Sequence, residues 1–421
     1  MQHAVLGIDF GTTNSAVGRV CGPGDAVALI PVEQGACTIP TALFYTHDNQ
    51  VLFGRAAISA YIDGTDGRFV RSVKRILGTD LMDKSTIVNT RAIRFDTIIK
   101  TFLSHLKQTA ERACQCDISS VVIGRPVHFQ DNGPEMDQRA QNKVDTVARE
   151  IGFKNVCFQY EPVAAAFAHE QHLTQDKLAF IVDLGGGTAD FSVIRIGPSY
   201  RSQTDRLHDI LATYGIRVGG NDFDRDFCLS AFMPSFGKGG VYGPKRLSVP
   251  DSLYFNLAEW SLINFCYTFK NKMMVQDILA QPCDRVKIER LAELLEYQLA
   301  HHLLKVAEDA KVQLSTHEQE TLIFRELSQN LIFAATRQEF NDAIQASLDK
   351  IRQAMMNTLA LAGVSASQIN MVILTGGTCL VPAVKLMIDR VFPGTDISES
   401  AKLESVCTGL TLTAQKLFYG Q

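Results

Sequence analysis

Two short stretches of this chain each place an aspartate at the end of an apolar run and follow it with a glycine-rich turn. The first aspartate, Asp9, precedes four candidate phosphate-binding residues: Gly11, Thr12, Thr13 and Asn14. The second aspartate, 174 positions later, is Asp183, and it precedes Gly185, Gly186, Gly187 and Thr188, with a further carboxylate at Asp190. Successive N–H groups in a glycine turn form a concave site for an anion, and glycine allows the backbone to approach it closely. An Asp at the mouth of each turn suits a hydrated Mg²⁺ beside a phosphate.

The repetition of this pattern favours one of two interpretations. A single turn of this kind could be a β-hairpin loop that binds nothing, since short motifs carry a real false-positive risk. Two related turns in one chain indicate instead that two halves of one fold hold a polyphosphate between them. The two commoner phosphate loops, Gly-x-x-x-x-Gly-Lys-Ser/Thr and a helix-opening Gly-x-Gly-x-x-Gly, do not occur.

The composition narrows the class of protein. A chain of 421 residues with 46% hydrophobic and 20% charged residues is ordinary for a globular protein of two or more domains. The net charge of −4 gives no reason to expect a nucleic acid or an anionic membrane surface as a partner. The ten cysteines form no Cys-x-x-Cys pair, so we expect reduced thiols and no zinc site. Without an evident signal peptide or an apolar run of membrane-spanning length, we expect a cytoplasmic protein.

The elements around the two turns follow related patterns. In the first half, short β-branched runs predict strands and apolar residues at helical spacing predict helices. The expected elements are strands over Ala16–Val20, Ser120–Pro126 and Val156–Tyr160, and helices over Phe95–Ala113, about Asp137–Ile151, and onward from Glu161. In the second half we expect strands within Ala179–Ile196, a strand over Met371–Thr375, and helices over Pro382–Val391 and Leu410–Phe418. A long insertion between them is mostly helical in pattern, with one apolar face formed by Leu291, Leu294, Leu295, Leu299 and Leu303.

This organisation predicts a duplicated α/β fold of two lobes. Lobe I covers residues 1–178, with an insertion at about 37–95. Lobe II covers residues 179–397, with a helical insertion at about 220–343. Residues 398–421 form a C-terminal helix that returns to lobe I. Only twelve residues follow Gly409, so we expect no further domain there.

Seven motifs, in order along the chain, carry a resemblance to a known family. They are Ile8–Ser15, Val73–Arg75, Tyr160–Ala166, Asp183–Asp190, Gly219–Asp224, Ala307–Lys311 and Leu374–Thr378. From about residue 4 to 418 the chain resembles the DnaK-type heat shock protein 70 chaperones of the actin-like ATPase superfamily. The sequences of its motifs are most similar to those of the short YegD-type members that lack a peptide-binding domain. The resemblance implies a two-lobed actin-like ATPase fold, in which duplicated ribonuclease-H-like domains each carry an inserted subdomain.

The resemblance also implies ATP or ADP as ligand, Mg²⁺ as cofactor, and roles for particular residues. Asp9 and Asp183 would hold Mg²⁺ through water, Lys74 would be the catalytic lysine, and Glu161 would position the attacking water. Asp190 would support metal or water in the same cluster. The two glycine turns would hold the phosphates. The residues that would enclose the nucleoside are Gly219, Gly220, Asn221, Glu308, Lys311, Val312, Ser315, Gly376, Gly377, Thr378 and Leu380.

The chain departs from the family pattern at three places. Val312 and Leu380 stand where the chaperones have two arginines around the adenine ring, which predicts weaker ATP binding or an altered base preference. Arg125 stands where the chaperones have a small apolar residue before Pro126, the proline that relays nucleotide state in that family. The resemblance therefore leaves open whether Pro126 acts as a relay here. The short C-terminal segment predicts that no peptide-binding domain follows.

The function that these features favour is a slow Mg²⁺-dependent ATPase whose lobes open and close with nucleotide. It would act in a chaperone-like or switch role on an unknown protein partner or co-chaperone. Two alternatives of the same superfamily stay open, a sugar or small-molecule kinase and a nucleotide-dependent filament or scaffold protein. A nucleotide sensor with negligible turnover is disfavoured by the intact set of carboxylates and lysine.

Overall fold

The computed structural model describes residues 4–88, 91–130, 133–201, 203, 206–399 and 404–420. Within these residues the strands are β1 (Val5–Phe10), β2 (Asn14–Val20), β3 (Ala28–Leu29), β4 (Thr38–Pro40), β5 (Ala42–Thr46), β6 (Val51–Phe53), β7 (Gly67–Arg71), β8 (Ser85–Val88), β9 (Arg91–Arg94), β10 (Ser120–Arg125), β11 (Asn155–Tyr160), β12 (Lys177–Leu184), β13 (Ala189–Ile196), β14 (Ile210–Ile216), β15 (Val241–Tyr242), β16 (Leu247–Ser248), β17 (Gln319–Phe324), β18 (Leu331–Thr336), β19 (Met371–Thr375) and β20 (Asp396–Glu399).

The α-helices of the same residues are α1 (Gly54–Ile62), α2 (Phe95–Cys114), α3 (Pro134–Glu150), α4 (Glu161–Glu170), α5 (Pro198–Arg201), α6 (Gly220–Phe227), α7 (Asp251–Leu257), α8 (Phe269–Ala280), α9 (Arg285–Glu296), α10 (Ala300–Leu314), α11 (Arg337–Ala362), α12 (Pro382–Val391) and α13 (Ser405–Tyr419). A short 3₁₀ helix over Val73–Ile76 follows β7. None of the helices in the described part of the chain has both the length and the apolar character needed to cross a membrane.

The chain divides into two compact units. The first comprises Met1–Gly219, Ile351–Cys379 and Lys385–Gln421, and the second comprises Gly220–Lys350 and Leu380–Val384. Both large sheets belong to the first unit. This division differs from the two lobes expected from sequence, which stay a prediction.

The two large sheets of the first unit share one topology. In the first sheet the strand order is β11-β10-β1-β2-β3, and in the second it is β20-β19-β12-β13-β14. Each sheet has a central strand, β1 or β12, that pairs antiparallel with the strand following it and parallel with a later strand. The glycine turns lie at equivalent places, between β1 and β2 and between β12 and β13. The duplicated pattern expected from the sequence is therefore present in the sheets.

Two helices join these sheets through a common apolar core. The core contains five consecutive residues of α4, Val163 to Phe167, together with Leu410 of α13 and residues of both sheets. The backbones of α4 and α13 approach very closely, since a Cβ added at Gly409 would lie 1.7 Å from the carbonyl oxygen of Ala164. Glycine and alanine at this crossing allow the close approach. The crossing fixes the start of α4, where Glu161 lies.

The second unit is built mainly from helices and two short hairpins. Its core contains two groups of phenylalanines. Neighbouring ring centroids lie 4.5 to 5.3 Å apart among Phe227, Phe232, Phe333 and Phe340, and 6.3 Å apart in the pair of Phe236 and Phe324. The leucine pattern expected to form one helix face is divided between α9 and α10. The break lies at Tyr297–Leu299, where Gln298 has φ of 57°. The helical pattern of the insertion is confirmed, but the single face was wrong.

Most of the elements expected from sequence are confirmed, and two helices begin earlier than expected. Helix α3 begins at Pro134 instead of Asp137, since proline is accepted at the first helical position. Helix α13 begins at Ser405 instead of Leu410, and its first turn packs on the strands through Val406 and Cys407.

Candidate functional site

The first glycine turn is held in shape by a neighbouring threonine. The turn joins β1 to β2, with Phe10 opposite Ser15 in the antiparallel register. The Thr41 hydroxyl donates to the carbonyl of Gly11 at 2.8 Å, and its backbone N–H donates to the carbonyl of Thr13 at 2.8 Å. The buried Thr13 hydroxyl has no hydrogen-bond partner among the described residues. Because a buried hydroxyl without a partner is costly, this atom is a candidate to bind a ligand.

The second glycine turn is held in the same way by the segment after β19. The turn joins β12 to β13, with Asp183 opposite Asp190. The N–H of Gly185 donates to the carbonyl of Thr188 at 3.0 Å, which closes the turn. The Thr378 hydroxyl donates to the carbonyl of Gly185 at 2.9 Å, so this residue, which is also predicted to enclose the nucleoside, supports the turn directly.

Two of the predicted nucleoside glycines also pack on this turn. A Cβ at Gly376, whose φ is 84°, would lie 2.2 Å from the carbonyl oxygen of Leu184. A Cβ at Gly219 would lie 2.6 Å from the carbonyl carbon of Gly186. Both positions therefore require glycine, while Gly377 has open space around it. These glycines let three backbone segments of the first unit meet beside Asp183.

The two glycine turns contact each other. A Cβ at Gly187 would lie 2.7 Å from the Thr12 hydroxyl oxygen. The turns therefore face each other within the first unit. Asp9 and Asp183 lie near the ends of the strands that lead into them. This is the arrangement expected for two loops that hold one polyphosphate.

Lys74 and Glu161 form a buried ion pair beside the turns. The Lys74 Nζ donates to Glu161 Oε1 at 2.8 Å, and the two side chains are 6% and 9% exposed. Lys74 lies on the 3₁₀ helix after β7, and Glu161 is the first residue of α4. Gly124 on β10 leaves room for Glu161, since a Cβ there would lie 3.2 Å from its Cγ.

The two carboxylate oxygens of Asp190 differ in their hydrogen bonding. Its Oδ1 accepts a hydrogen bond of 2.7 Å from the N–H of Val127, in the segment that follows β10. Its Oδ2 is buried and accepts no hydrogen bond of good geometry from the described residues, although the nearby Thr188 hydroxyl lowers the pKa of the carboxyl. A buried carboxylate oxygen normally has a partner. This oxygen therefore suits a water molecule or a hydrated cation.

The aspartates hold their protons unusually tightly. Burial, reinforced by the charge of Glu161, raises the pKa of Asp9 to about 7 and the pKa of Asp190 to about 7. The same two causes raise the pKa of Asp183 well above its ordinary value. Lys74 opposes all three shifts but is one positive charge among four carboxyl groups. The cluster is therefore short of positive charge.

These observations fit a hydrated Mg²⁺. Oxygen donors are the ligands that this ion prefers, and it usually keeps several of its waters. Within the described residues, no group of three His, Cys, Asp or Glu side chains could hold a metal ion. Contact of Asp9 and Asp183 with Mg²⁺ through water stays a prediction.

The remaining predicted nucleoside residues belong to the second unit. Lys311 on α10 donates to the carbonyl of Gly220 at 3.2 Å and pairs with the buried Asp224 at 2.7 Å. The Ser315 hydroxyl donates to the carbonyl of Lys311, and Asn221 is buried on α6. Glu308 lies one turn earlier on α10, 3.7 Å from Lys305. Lys311 therefore ties α10 to the start of α6.

The two residues predicted to stand in place of the chaperone arginines have exposed apolar side chains. Val312 is 58% exposed and Leu380 is 50% exposed. Neither brings a positive charge to the second unit. The expectation of a weak or altered base site stays a prediction.

Sequence reasoning missed the residues that act through support alone. Thr41 holds the first turn, and Asp224 fixes Lys311. Asp224 ends one of the seven motifs and Thr41 lies outside them, and the partners of both are 30 or more residues away in sequence. The one local signal in the sequence was an Asp three residues after the Gly-Gly-Asn motif.

The sheets and the turns at equivalent ends of β1 and β12 define an α/β protein with a duplicated core and an acidic site beside its two glycine turns. A family model described as Hsp70 protein matches residues 5–239 and 276–417. The chain belongs to the Hsp70 family, as the seven motifs predicted. Members of this family have the actin-like ATPase fold, bind and hydrolyse ATP, and act as chaperones. The narrower likeness to the short YegD-type members stays a prediction.

Proposed function

We propose that this chain is a slow Mg²⁺-dependent ATPase that holds the triphosphate between its two glycine turns. The contact between Thr12 and Gly187 carries this proposal, because it places the turns face to face beside the ion pair of Lys74 and Glu161. Phosphoryl transfer to water requires mainly positioning and neutralisation of charge. A cluster of carboxylates, one lysine and two backbone nests supplies both.

Each residue of the cluster has a role in this account. Mg²⁺, when bound through water to Asp9 and Asp183, supplies the positive charge that the cluster lacks. Lys74 donates to a phosphate or to the attacking water, and Glu161 orients both Lys74 and that water. Asp190 accepts a hydrogen bond from water at its Oδ2.

We further propose that ATP hydrolysis changes the protein between a closed and an open conformation, so that it acts as a nucleotide-dependent switch. Closure of domains around a ligand is a common device in proteins that bind nucleotides between lobes. The partner of the switch would be a client protein or co-chaperone. We also propose that the protein is cytoplasmic, because ten free cysteines suit a reducing compartment.

The test is hydrolysis of ATP by the purified chain with Mg²⁺ and with EDTA. We expect slow release of phosphate that requires Mg²⁺, and loss of this release in K74A but not in K154A, a change at an exposed lysine. Transfer of phosphate to a panel of sugars faster than to water would favour the kinase alternative. An increase in light scattering on addition of ATP would favour the filament alternative. Hydrolysis that is independent of both Mg²⁺ and Lys74 would overturn the proposal.

A further inference from the structure

Arg125 is a nearly buried arginine at the end of β10 whose side chain is 11% exposed. Its guanidinium pairs with Asp137 of α3 at 2.5 Å and also donates to Gln141 on the same helix. Two further hydrogen bonds of 3.1 Å go to the carbonyls of Pro126 and Val127. The guanidinium therefore ties the segment after β10 to α3.

Two aromatic rings enclose the same guanidinium. Its central carbon lies 5.3 Å from the ring centroid of Phe129 and 5.2 Å from that of Tyr160. Asp137 reinforces the arrangement, since its second oxygen accepts the N–H of Phe129 at 2.6 Å. Arginine can stack and donate several fixed hydrogen bonds at once, which lysine cannot.

Three of the residues that Arg125 contacts, Val127, Phe129 and Tyr160, each lie next to a residue of the proposed catalytic cluster. Val127 donates its N–H to Asp190. The Phe129 ring lies 5.9 Å from the Nζ of Lys74. Tyr160 immediately precedes Glu161 at the start of α4. The guanidinium of Arg125 is thus connected to three of the proposed catalytic residues through one intervening residue each.

We propose that Arg125 is a positioning residue for ATP hydrolysis, which keeps Asp190, Lys74 and Glu161 in register by fixing the segment from Pro126 to Phe129. This inference rests on the proposed ATPase function. Arg125 has no hydrogen bond to either glycine turn among its contacts. Its loss should therefore disturb the chemical step and leave the hold on the phosphates intact. A displacement of about 1 Å at a reacting group can reduce a rate by about 10²-fold.

The experiment compares R125Q, R125K and D137N with the unchanged chain and with R149Q. Arg149 is a matched control because it pairs with Asp145 within α3 and its side chain is 51% exposed. Nucleotide affinity is measured by calorimetry and the chemical step by single-turnover hydrolysis. Near-ultraviolet circular dichroism reports folding. D137N provides a second variant that loosens Arg125 without removing it.

We expect R125Q to lower the single-turnover rate by about 10²-fold while the Kd for ATP changes less than about threefold. R125K should not restore the rate, and R125Q/D137N should be no slower than R125Q because both act through one network. Parallel losses of affinity, rate and folding in R125Q would indicate a purely structural role and overturn the inference. A rate within twofold of the unchanged chain would overturn it as well and leave the ATPase proposal standing. Absence of hydrolysis in the unchanged chain would overturn both.

Discussion

Lys74 and Glu161 lie 87 positions apart in sequence and form a buried ion pair with 2.8 Å between Nζ and Oε1. One partner comes from a short 3₁₀ helix and the other from the first residue of α4. Removing one partner of a buried pair typically costs about 3 to 5 kcal/mol, because the other charge is left uncompensated. Loss of Lys74 should therefore affect both ATP hydrolysis and stability. A double variant can separate these two effects.

We predict that K74A lowers ATP turnover by about 10²- to 10³-fold, as expected on removal of a charge-stabilising donor. It should also destabilise the protein, since Glu161 stays buried without its cation. K74A/E161Q should regain part of the stability, because a neutral amide replaces the unpaired charge, but none of the turnover. Phosphate release and urea unfolding measure the two effects. An unchanged hydrolysis rate in K74A would argue strongly against the assignment.

A second prediction concerns the contact between the glycine turns. In G187A the new methyl group would lie 2.7 Å from the Thr12 hydroxyl oxygen and push the turns apart. We expect weaker binding of ATP by calorimetry and a lower unfolding midpoint. G187A/T12A removes the clashing hydroxyl and methyl group but keeps the Cβ of residue 12 at 3.2 Å, so it should recover part of the stability. If G187A binds ATP as the unchanged chain does, the turns do not hold the phosphates together.

The base site gives a third prediction. Restoring an arginine at the position of Val312 or Leu380 should strengthen ATP binding by about twofold to thirtyfold each, from a cation–π contribution of about 0.5 to 2 kcal/mol. V312L and L380M are controls that keep an apolar side chain. Calorimetric titration with ATP, GTP and ADP measures affinity and base preference. Nanomolar binding of ATP by the unchanged chain would contradict the expectation of a weakened site.

The raised carboxyl pKa values predict how stability depends on pH in Mg²⁺-free buffer. The pKa of Asp9 and that of Asp190 are raised from 3.8 to about 7. Their protons are held by the folded chain and released by the unfolded chain, so this contribution is full below pH 3.8 and is lost as the pH rises through 7. The free energy of unfolding should therefore fall between pH 6 and pH 8.

The matched variant for this prediction is D190N, whose amide oxygen can still accept the N–H of Val127. Because Asn carries no titrating proton, the fall in stability between pH 6 and pH 8 should be smaller in D190N. Chemical unfolding at both pH values gives the comparison, and groups that titrate elsewhere cancel in the difference. Equal slopes in the two proteins would show that Asp190 does not carry the shifted pKa.

The parts of the site that sequence could predict are those encoded locally. Each glycine turn lies within about ten residues, and its Asp, glycines and hydroxyls are adjacent in the chain. Strand β12 and helix α12 were predictable for the same reason, since their apolar periodicity and flanking glycine or proline lie within the element. The roles of Lys74 and Glu161 followed only from the family resemblance, and the ion pair between them was not predicted.

Support that depends on long-range contacts could not be predicted. Arg125 differs from the family pattern, but its contacts to Asp137 and Tyr160 depend on how α3 and β11 pack. The break between α9 and α10 was also hidden, because leucines continue at helical spacing through Leu299. Tertiary packing, and not local preference, decides both features.

The most direct measurement of the central claim is a crystal structure with Mg²⁺ and a non-hydrolysable ATP analogue. We predict that the β- and γ-phosphates contact the backbone N–H groups of residues 11–14 and 185–188, with metal-bound waters on Asp9 and Asp183. Phosphates bound elsewhere in the protein, or a bound metal remote from both aspartates, would contradict the account.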